Sequence, residues 1–106
     1  MSEMDILARL WDIIEERRAN RQEGSYTCKL FDKGPEEIAK KLGEEAIEVI
    51  VAMSSKDRPA VVYEAADLIY HLWVALSESG VTPQDVYAEL EDRYCRGSRR
   101  SPGGQE

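Results

Sequence analysis

The sequence predicts an all-α fold, a four-helix arrangement completed by oligomerisation. Apolar residues recur at the spacing of about 3.6 residues that an α-helix requires. Pro35 and Pro83 each stand where a helix could begin, and no stretch of useful length alternates apolar and polar residues as a half-buried strand would. A chain of 106 residues forms a single domain with a small core. We therefore expect part of its apolar surface to be covered by another subunit.

The first segments differ in their pattern. Residues 3–20 predict a packing helix, because Ile6, Leu10 and Ile14 lie at helical spacing. Residues 21–34 show no sustained period and predict an extended loop. A second helix is predicted from Pro35 to about residue 53, with acids in its first turn, where they suit the helix dipole.

The second and third helices are predicted to pair as an antiparallel hairpin. A short polar connection over residues 54–59 leads into the third helix, residues 59–79, which should return beside the second. Ile38, Leu42, Ala46, Ile50 and Met53 share one apolar stripe on the second helix and are expected to face the core. The third helix is apolar on more than one stripe, so we expect it to pack on the intrachain core and on a partner subunit.

The last helix is predicted to begin at Pro83 and to end near Tyr94. Thr82 is placed as its N-cap and Asp85 as the third residue of a capping box. Residues 97–106 predict a disordered tail, so the domain is expected to span residues 1–96.

Composition limits the function classes. The chain carries 14 basic and 21 acidic residues, a net charge of −7, which disfavours a general nucleic-acid binder. Neither a signal peptide nor a membrane-spanning apolar run is indicated. Cys28 and Cys95 lack CxxC spacing and are expected to be reduced thiols. We expect a cytoplasmic protein with neither nucleic-acid nor membrane partners.

Two sets of carboxylates lie inside the apolar patterns of the hairpin, and together they are the candidate catalytic and metal-binding residues: Glu44, Glu45, Glu48, Glu64 and Asp67. The hairpin would bring the two sets together, where they would repel one another unless a cation neutralised them. Oxygen ligands favour Mg²⁺, with Mn²⁺ possible, and Mg²⁺ commonly works with a phosphate-bearing substrate. The alternative is a solvated surface in which Glu44 pairs with Lys40 or Lys41. Recurrence of the pattern on the next helix favours the metal site.

Polar and basic residues near these acids or near the end of the chain are candidates for substrate binding: Ser25, Tyr26, Thr27, Lys40, Lys41, His71 and Arg93. Basic side chains could hold phosphate oxygens that the metal does not reach, or could be ordinary surface residues. The hydroxyls of residues 25–27 could bind ribose or phosphate, or simply belong to a loop. His71 is the only histidine, and a packing role is the alternative to binding.

These segments also carry a resemblance. Ser25-Tyr26-Thr27, the run from Ala39 to Glu48, the run from Glu64 to Leu72, and Gly80 with Asp85-Val86 and Leu90 together resemble the phosphoribosyl-ATP pyrophosphatase family of histidine biosynthesis. The wider group that the chain resembles is the MazG-type all-α nucleoside triphosphate pyrophosphohydrolases, whose EExxE and ExxD patterns match the five acids. Cys28 departs from the small residue expected after Ser-Tyr-Thr.

The resemblance implies an obligate homo-oligomer, at least a dimer, that uses Mg²⁺ to hydrolyse phosphoribosyl-ATP to phosphoribosyl-AMP and pyrophosphate. Glu45, Glu48, Glu64 and Asp67 would hold the metal, and Glu44 or a water on the metal would supply the attacking hydroxide. Lys40, Lys41 and Arg93 would hold phosphate oxygens. Two other hypotheses stay open: a house-cleaning pyrophosphohydrolase acting on other nucleoside triphosphates, and a non-catalytic helical interaction module.

Overall fold

The computed structural model describes residues 5–95 and places most of them in five α-helices. These are α1 (Asp5–Ala19), α2 (Tyr26–Lys33), α3 (Pro35–Ser55), α4 (Arg58–Ser79) and α5 (Pro83–Tyr94). No strand occurs among the described residues, and the predicted all-α class is confirmed. The tail predicted over residues 97–106 lies outside the described residues.

Helix α2 is the main difference from the sequence prediction. Residues 21–34 were expected to be an extended loop, and this is wrong for Tyr26–Lys33. The Ser25 side chain caps the helix by accepting a hydrogen bond from the Cys28 amide at 3.2 Å. Gly34, with φ of 97°, ends the helix in a conformation that favours glycine. Eight residues make little more than two turns, which is too short for an apolar period to be read from the sequence.

The α3–α4 hairpin is the longest packed unit. Only residues 56 and 57 separate the two helices, which pack against each other as predicted. Lys56 adopts the left-handed conformation at the end of α3, and the Asp57 side chain caps α4 by accepting from the Ala60 amide at 3.2 Å.

The core lies at the end of the hairpin where α3 begins and α4 ends. There α1, α2, α3 and α4 contribute the buried side chains Ile14, Leu30, Ile38, Trp73 and Val74. The Trp73 indole also donates a hydrogen bond to the Leu7 carbonyl at 3.1 Å, which ties α1 to α4. This cluster holds α2 against the hairpin and therefore positions the residues at its start.

The other end of the hairpin is uncovered in the single chain. Ile50 and Met53 were expected to face the core, and both side chains are 60% exposed. The prediction is wrong for these two side chains because the core cluster to which α1 and α2 contribute lies at the opposite end of the hairpin, and within residues 5–95 both side chains stay exposed. On α4, Val62 and Tyr63 are exposed as well. The expected partner subunit on this helix stays a prediction.

Helix α5 begins as predicted. The Thr82 hydroxyl accepts from the Asp85 amide at 3.2 Å and the Asp85 carboxylate accepts from the Thr82 amide at 3.0 Å, which completes the capping box. The Tyr87 ring lies 6.5 Å from the Trp73 ring and joins α5 to α4. Within residues 5–95, the structure contains no helix long and apolar enough to cross a membrane.

Candidate metal and substrate site

Four of the predicted carboxylates lie close enough across α3 and α4 to interact electrostatically. The pKa of Glu64 is raised, first by partial burial and then by repulsion from Glu48, Glu45 and Asp67. Glu45 and Glu48 come from α3, whereas Glu64 and Asp67 come from α4, so the hairpin joins the two sets as its short connection predicted. The repulsion shows that the negative charge at this point is not fully compensated by the protein.

His71 completes a group that could hold a metal ion. One carboxylate oxygen each of Glu45 and Asp67 and one ring nitrogen of His71 lie within 4.8 Å of one another. The carboxylates are half-buried, and His71 is only 4% exposed. From the sequence, His71 was expected to bind substrate rather than to join the acids. The signal was present, because Asp67 and His71 are four residues apart and share a helix face.

The hydrogen bonds of His71 define its tautomer. Nδ1 lies 2.8 Å from the Asp67 carbonyl oxygen, which can only accept, so Nδ1 carries the hydrogen. In the neutral ring Nε2 is then an acceptor, and the Tyr26 hydroxyl lies 3.0 Å from it. Tyr26 is therefore the donor to His71.

Tyr26 links α2 to the carboxylates. Partial burial raises the pKa of its phenol, Lys41 acts in the opposite direction, and the negative charges of Glu45 and Asp67 raise it further. The phenol therefore lies near both the lysine and the two acids. The Tyr26 side chain stays about half-exposed, so a bound molecule could reach it.

The neighbours of Tyr26 in the sequence have structural partners. The Ser25 hydroxyl caps α2, and Thr27 is buried with its hydroxyl bonded to the Tyr70 hydroxyl. Of the three residues predicted to bind substrate here, Tyr26 is the one that the structure presents to the carboxylates. Substrate binding by Ser25 and Thr27 stays a prediction.

The two lysines predicted to bind phosphate lie in different surroundings. Lys41 lies near Tyr26 and Glu45, which raise its pKa together with Glu44, and its ammonium pairs with the Glu44 carboxylate at 3.4 Å. The pairing that sequence analysis held as an alternative for Glu44 is thus present. Lys40 is exposed on the same helix. The roles predicted for Glu44 and Lys40 stay predictions.

Arg93 lies on α5, and its guanidinium pairs with Glu89 of the same helix at 2.9 Å. Helix α5 is not among the elements that pack most closely on α3. The predicted contact of Arg93 with phosphate stays a prediction.

Cys28, the departure noted in the sequence, has a packing explanation. Its thiol is buried, donates to the Arg17 carbonyl at 3.3 Å and accepts from the Gln22 amide at 3.3 Å. The hydrogen bond from Gln22, followed by that of Ser25, lowers the thiol pKa. Cys28 and Cys95 are both free.

The donor set fits a hard divalent cation. Carboxylate oxygens dominate, they are crowded enough to raise the pKa of Glu64, and a lysine stands beside them. Together the fold and this site define a class of protein: an all-α domain with a group of carboxylates that could hold a divalent cation, as enzymes acting on phosphate esters and anhydrides use.

The comparisons with known proteins identify the family. Residues 7–94 match the family described as phosphoribosyl-ATP pyrophosphohydrolase. The chain belongs to this family. The resemblance seen in the sequence is thereby confirmed.

Curated relatives differ in name and in the share of their own length that this chain matches. The phosphoribosyl-ATP pyrophosphatase of Sulfurisphaera tokodaii is 53% identical over 89 residues, which cover 84% of this chain and 95% of the relative. That of Methylibium petroleiphilum is 53% identical over 93 residues, covering 88% of this chain and 78% of the relative. The histidine biosynthesis bifunctional protein HisIE of Caldanaerobacter subterraneus subsp. tengcongensis is 50% identical over 91 residues, 86% of this chain, but the match spans only 44% of that protein.

Proposed function

We propose that this chain hydrolyses phosphoribosyl-ATP to phosphoribosyl-AMP and pyrophosphate in histidine biosynthesis, with Mg²⁺ as cofactor and Mn²⁺ as a possible substitute. Relatives that match along 95% and 78% of their own length are named for this activity. Family membership makes the chain a hydrolase. The metal, the site residues and the assembly are the parts that the proposal adds.

The observation that best supports the proposal is that carboxylates of the two facing helices α3 and α4 converge with too little positive charge nearby to neutralise them. The carboxylates of Glu45 and Asp67 approach one another across the two helices, and neighbouring negative charge adds to burial in raising the pKa of Glu64. A divalent cation relieves that repulsion and at the same time binds the polyphosphate of a nucleotide. Both requirements of a pyrophosphohydrolase are met at one place.

The residues have separable tasks in this proposal. Glu45, Glu48, Glu64 and Asp67 hold the metal, which when bound withdraws charge from the phosphoanhydride and the leaving pyrophosphate. Lys41 stands beside this group and donates to phosphate oxygens, for which it exchanges its contact with Glu44. Released from Lys41, the Glu44 carboxylate can accept a proton from the attacking water.

The reaction balances with water as the only co-reactant. The water oxygen bonds to phosphorus, the anhydride bond to the terminal pyrophosphate breaks, and the pyrophosphate leaves with the electron pair of that bond. The proton from water passes to Glu44 or to solvent. The protein itself forms no covalent bond with the substrate.

We propose further that the working form is a homo-oligomer, at least a dimer, in the cytoplasm, with residues 1–96 as its domain. The exposed apolar side chains Ile50, Met53 and Val62 at the far end of the hairpin support an oligomer, because a stable monomer rarely leaves such a surface in water.

The substrate is tested by measuring pyrophosphate release from phosphoribosyl-ATP, ATP and a panel of deoxynucleoside triphosphates, each with and without Mg²⁺. Release confined to phosphoribosyl-ATP and dependent on metal is the expected result. Comparable release from the other nucleotides would favour a house-cleaning pyrophosphohydrolase. Release from none of them would favour the helical interaction module.

A further inference from the structure

The junction between α2 and α4 carries hydrogen bonds that the proposed reaction does not use. The Tyr26 hydroxyl bonds to His71, and the Thr27 hydroxyl bonds to Tyr70. The Tyr26 ring also stacks on Tyr70 at 6.2 Å and meets the His71 ring edge-on at 5.8 Å. Two neighbouring residues at the start of α2 are thus fastened to two neighbouring residues of α4.

Only one of these bonds lies next to the candidate metal group. His71 shares that group with Glu45 and Asp67, whereas Tyr70 packs against the core cluster. Because the two bonds are so close and so alike, one can serve as a control for the other. Loss of the Tyr70 hydroxyl removes the bond to Thr27 and leaves the bond between Tyr26 and His71 in place.

Both nitrogens of His71 are engaged. Nδ1 donates to the Asp67 carbonyl, which belongs to the preceding turn of the same helix. Nε2 accepts the Tyr26 hydroxyl hydrogen. The imidazole therefore serves as a fixed acceptor for Tyr26, and the carboxylates are left to hold the ion.

This arrangement determines what the Tyr26 oxygen can offer to a ligand. Its hydrogen is committed to Nε2, so it presents only lone pairs to the open side. Ionised phosphate oxygens carry no hydrogen and cannot pair with it. A nucleotide has two neutral donors of the required kind, the ribose hydroxyls and an exocyclic amino group.

We propose that Tyr26 is a specificity-determining residue that accepts a hydrogen bond from a ribose hydroxyl of the substrate, and that His71 is the positioning residue that holds it. The ribose is favoured because the carboxylates and Lys41 fix the phosphates beside Tyr26, and the ribose adjoins the phosphates whereas the base is further along the nucleotide. This inference rests on the proposed function.

The first test is kinetic. Tyr26→Phe should raise KM for phosphoribosyl-ATP about 3–10-fold and change kcat by less than about twofold, because a neutral hydrogen bond to a remote part of the substrate is lost. Tyr70→Phe is the matched control and should leave KM unchanged. An unchanged KM in Tyr26→Phe, with the wild type active, overturns the inference; an inactive wild type overturns the proposed function instead.

Competing ligands identify the donor. Tyr26→Phe should weaken inhibition by AMP and by IMP to the same extent, since both carry the ribose, and should not change inhibition by inorganic pyrophosphate. If Tyr26→Phe weakened inhibition by AMP alone, the hydrogen bond would be assigned to the amino group of the base. Weakening for pyrophosphate would assign it to the phosphates. Either result overturns the ribose contact.

Two variants separate positioning from other roles of His71. The amide of His71→Gln reaches the place of Nε2 and can accept from Tyr26, so KM should stay near that of the wild type. His71→Asn reaches only the place of Nδ1 and should raise KM as Tyr26→Phe does. In the Tyr26→Phe background His71→Asn should add nothing further, because the two residues act as one unit.

A direct measurement of Mn²⁺ binding tests whether His71 is a metal ligand. Binding of Mn²⁺ alone, followed by electron paramagnetic resonance, should be the same for the wild type and His71→Asn. Weaker Mn²⁺ binding in His71→Asn, or additive effects in the double variant, would show that His71 acts other than through Tyr26. Should His71→Asn fail to fold, the Tyr26→Phe kinetics and inhibition pattern still decide the inference.

Discussion

The Glu64 carboxyl makes the stability of the metal-free protein depend on pH. This carboxyl is partly buried and is repelled by Glu48, Glu45 and Asp67, and both causes raise its pKa. The folded protein then binds this proton more readily than the unfolded chain does. Without metal, this group's contribution to stability is present at low pH and is lost as the pH rises through the folded-state pKa.

We predict that Glu64→Gln raises the Tm of the metal-free protein near neutral pH and reduces the fall of Tm with rising pH. The amide removes one of the mutually repelling charges. Thermal melts in EDTA from about pH 4 to about pH 8 measure both effects, in a range that brackets the ordinary carboxyl pKa. Glu36→Gln, in the exposed first turn of α3, is the matched control. A lower Tm for Glu64→Gln than for Glu36→Gln would contradict the proposed crowding.

Mg²⁺ should raise the Tm of the wild type more than that of Glu64→Gln. Added Mg²⁺ binds the folded wild type and therefore raises its Tm, whereas Glu64→Gln has lost one anionic ligand and should gain less. The same melts repeated with Mg²⁺ give this comparison. Equal gains for both proteins would remove Glu64 from the metal site.

Helix α2 is the element that brings Tyr26 to the site, and Ser25 is its cap. We predict that Ser25→Ala lowers the free energy of unfolding by about 1 kcal/mol, as loss of a helix N-cap commonly does. Urea denaturation measures it. Ser79→Ala is the control, because that hydroxyl bonds only to the Ala75 carbonyl of its own helix, and its effect should stay within about 0.5 kcal/mol. An equal loss of unfolding free energy in the two variants would show that the Ser25 cap stabilises the protein no more than the Ser79 hydroxyl does.

The sequence predicts elements well where the signal is local and repeated. The start of α5 at Thr82-Pro83 and the α3–α4 hairpin are confirmed because caps, proline and a short connection specify them within a few residues. Helix α2 was missed because eight residues depend on a serine cap and on burial of Leu30 against other helices. The signal for α2 is therefore mostly tertiary.

The same distinction holds for the site. Helical spacing places Glu45 near Glu48 on α3 and Glu64 near Asp67 on α4. The α3–α4 hairpin then brings the two pairs close to each other. Tyr26 and His71 are 45 residues apart, so their hydrogen bond depends on how α2 docks on α4, which no local pattern reveals. Arg93 was considered from charge and position in the chain alone, and the structure pairs it with Glu89 instead.

The whole molecule has an uncovered apolar surface at the far end of the hairpin. We predict that the wild type has a mass in solution of at least twice 12.0 kDa, and that Ile50→Glu shifts it towards 12.0 kDa, because a charge placed in an apolar interface must be desolvated. Light scattering coupled to size exclusion measures the mass.

Glu36→Lys, a charge changed at an exposed position at the other end of the same helix, is the control and should leave the assembly intact. A wild type of 12.0 kDa, or an unchanged mass for Ile50→Glu, would show that this surface is not the interface.

We propose that the carboxylates between α3 and α4 hold the metal that pyrophosphate release requires. The most direct measurement is Mg²⁺-dependent release of pyrophosphate from phosphoribosyl-ATP by the wild type, Glu48→Gln and Glu36→Gln side by side. Glu36 lies twelve residues before Glu48 on α3, about 18 Å away along the helix axis. We predict that Glu36→Gln keeps wild-type turnover. Glu48→Gln should lose at least about tenfold at saturating Mg²⁺, because changing even a group that only hydrogen-bonds to a metal ligand typically costs about 10–100-fold, and Glu48 is proposed to bind the metal directly. Near-normal turnover by Glu48→Gln would contradict the account.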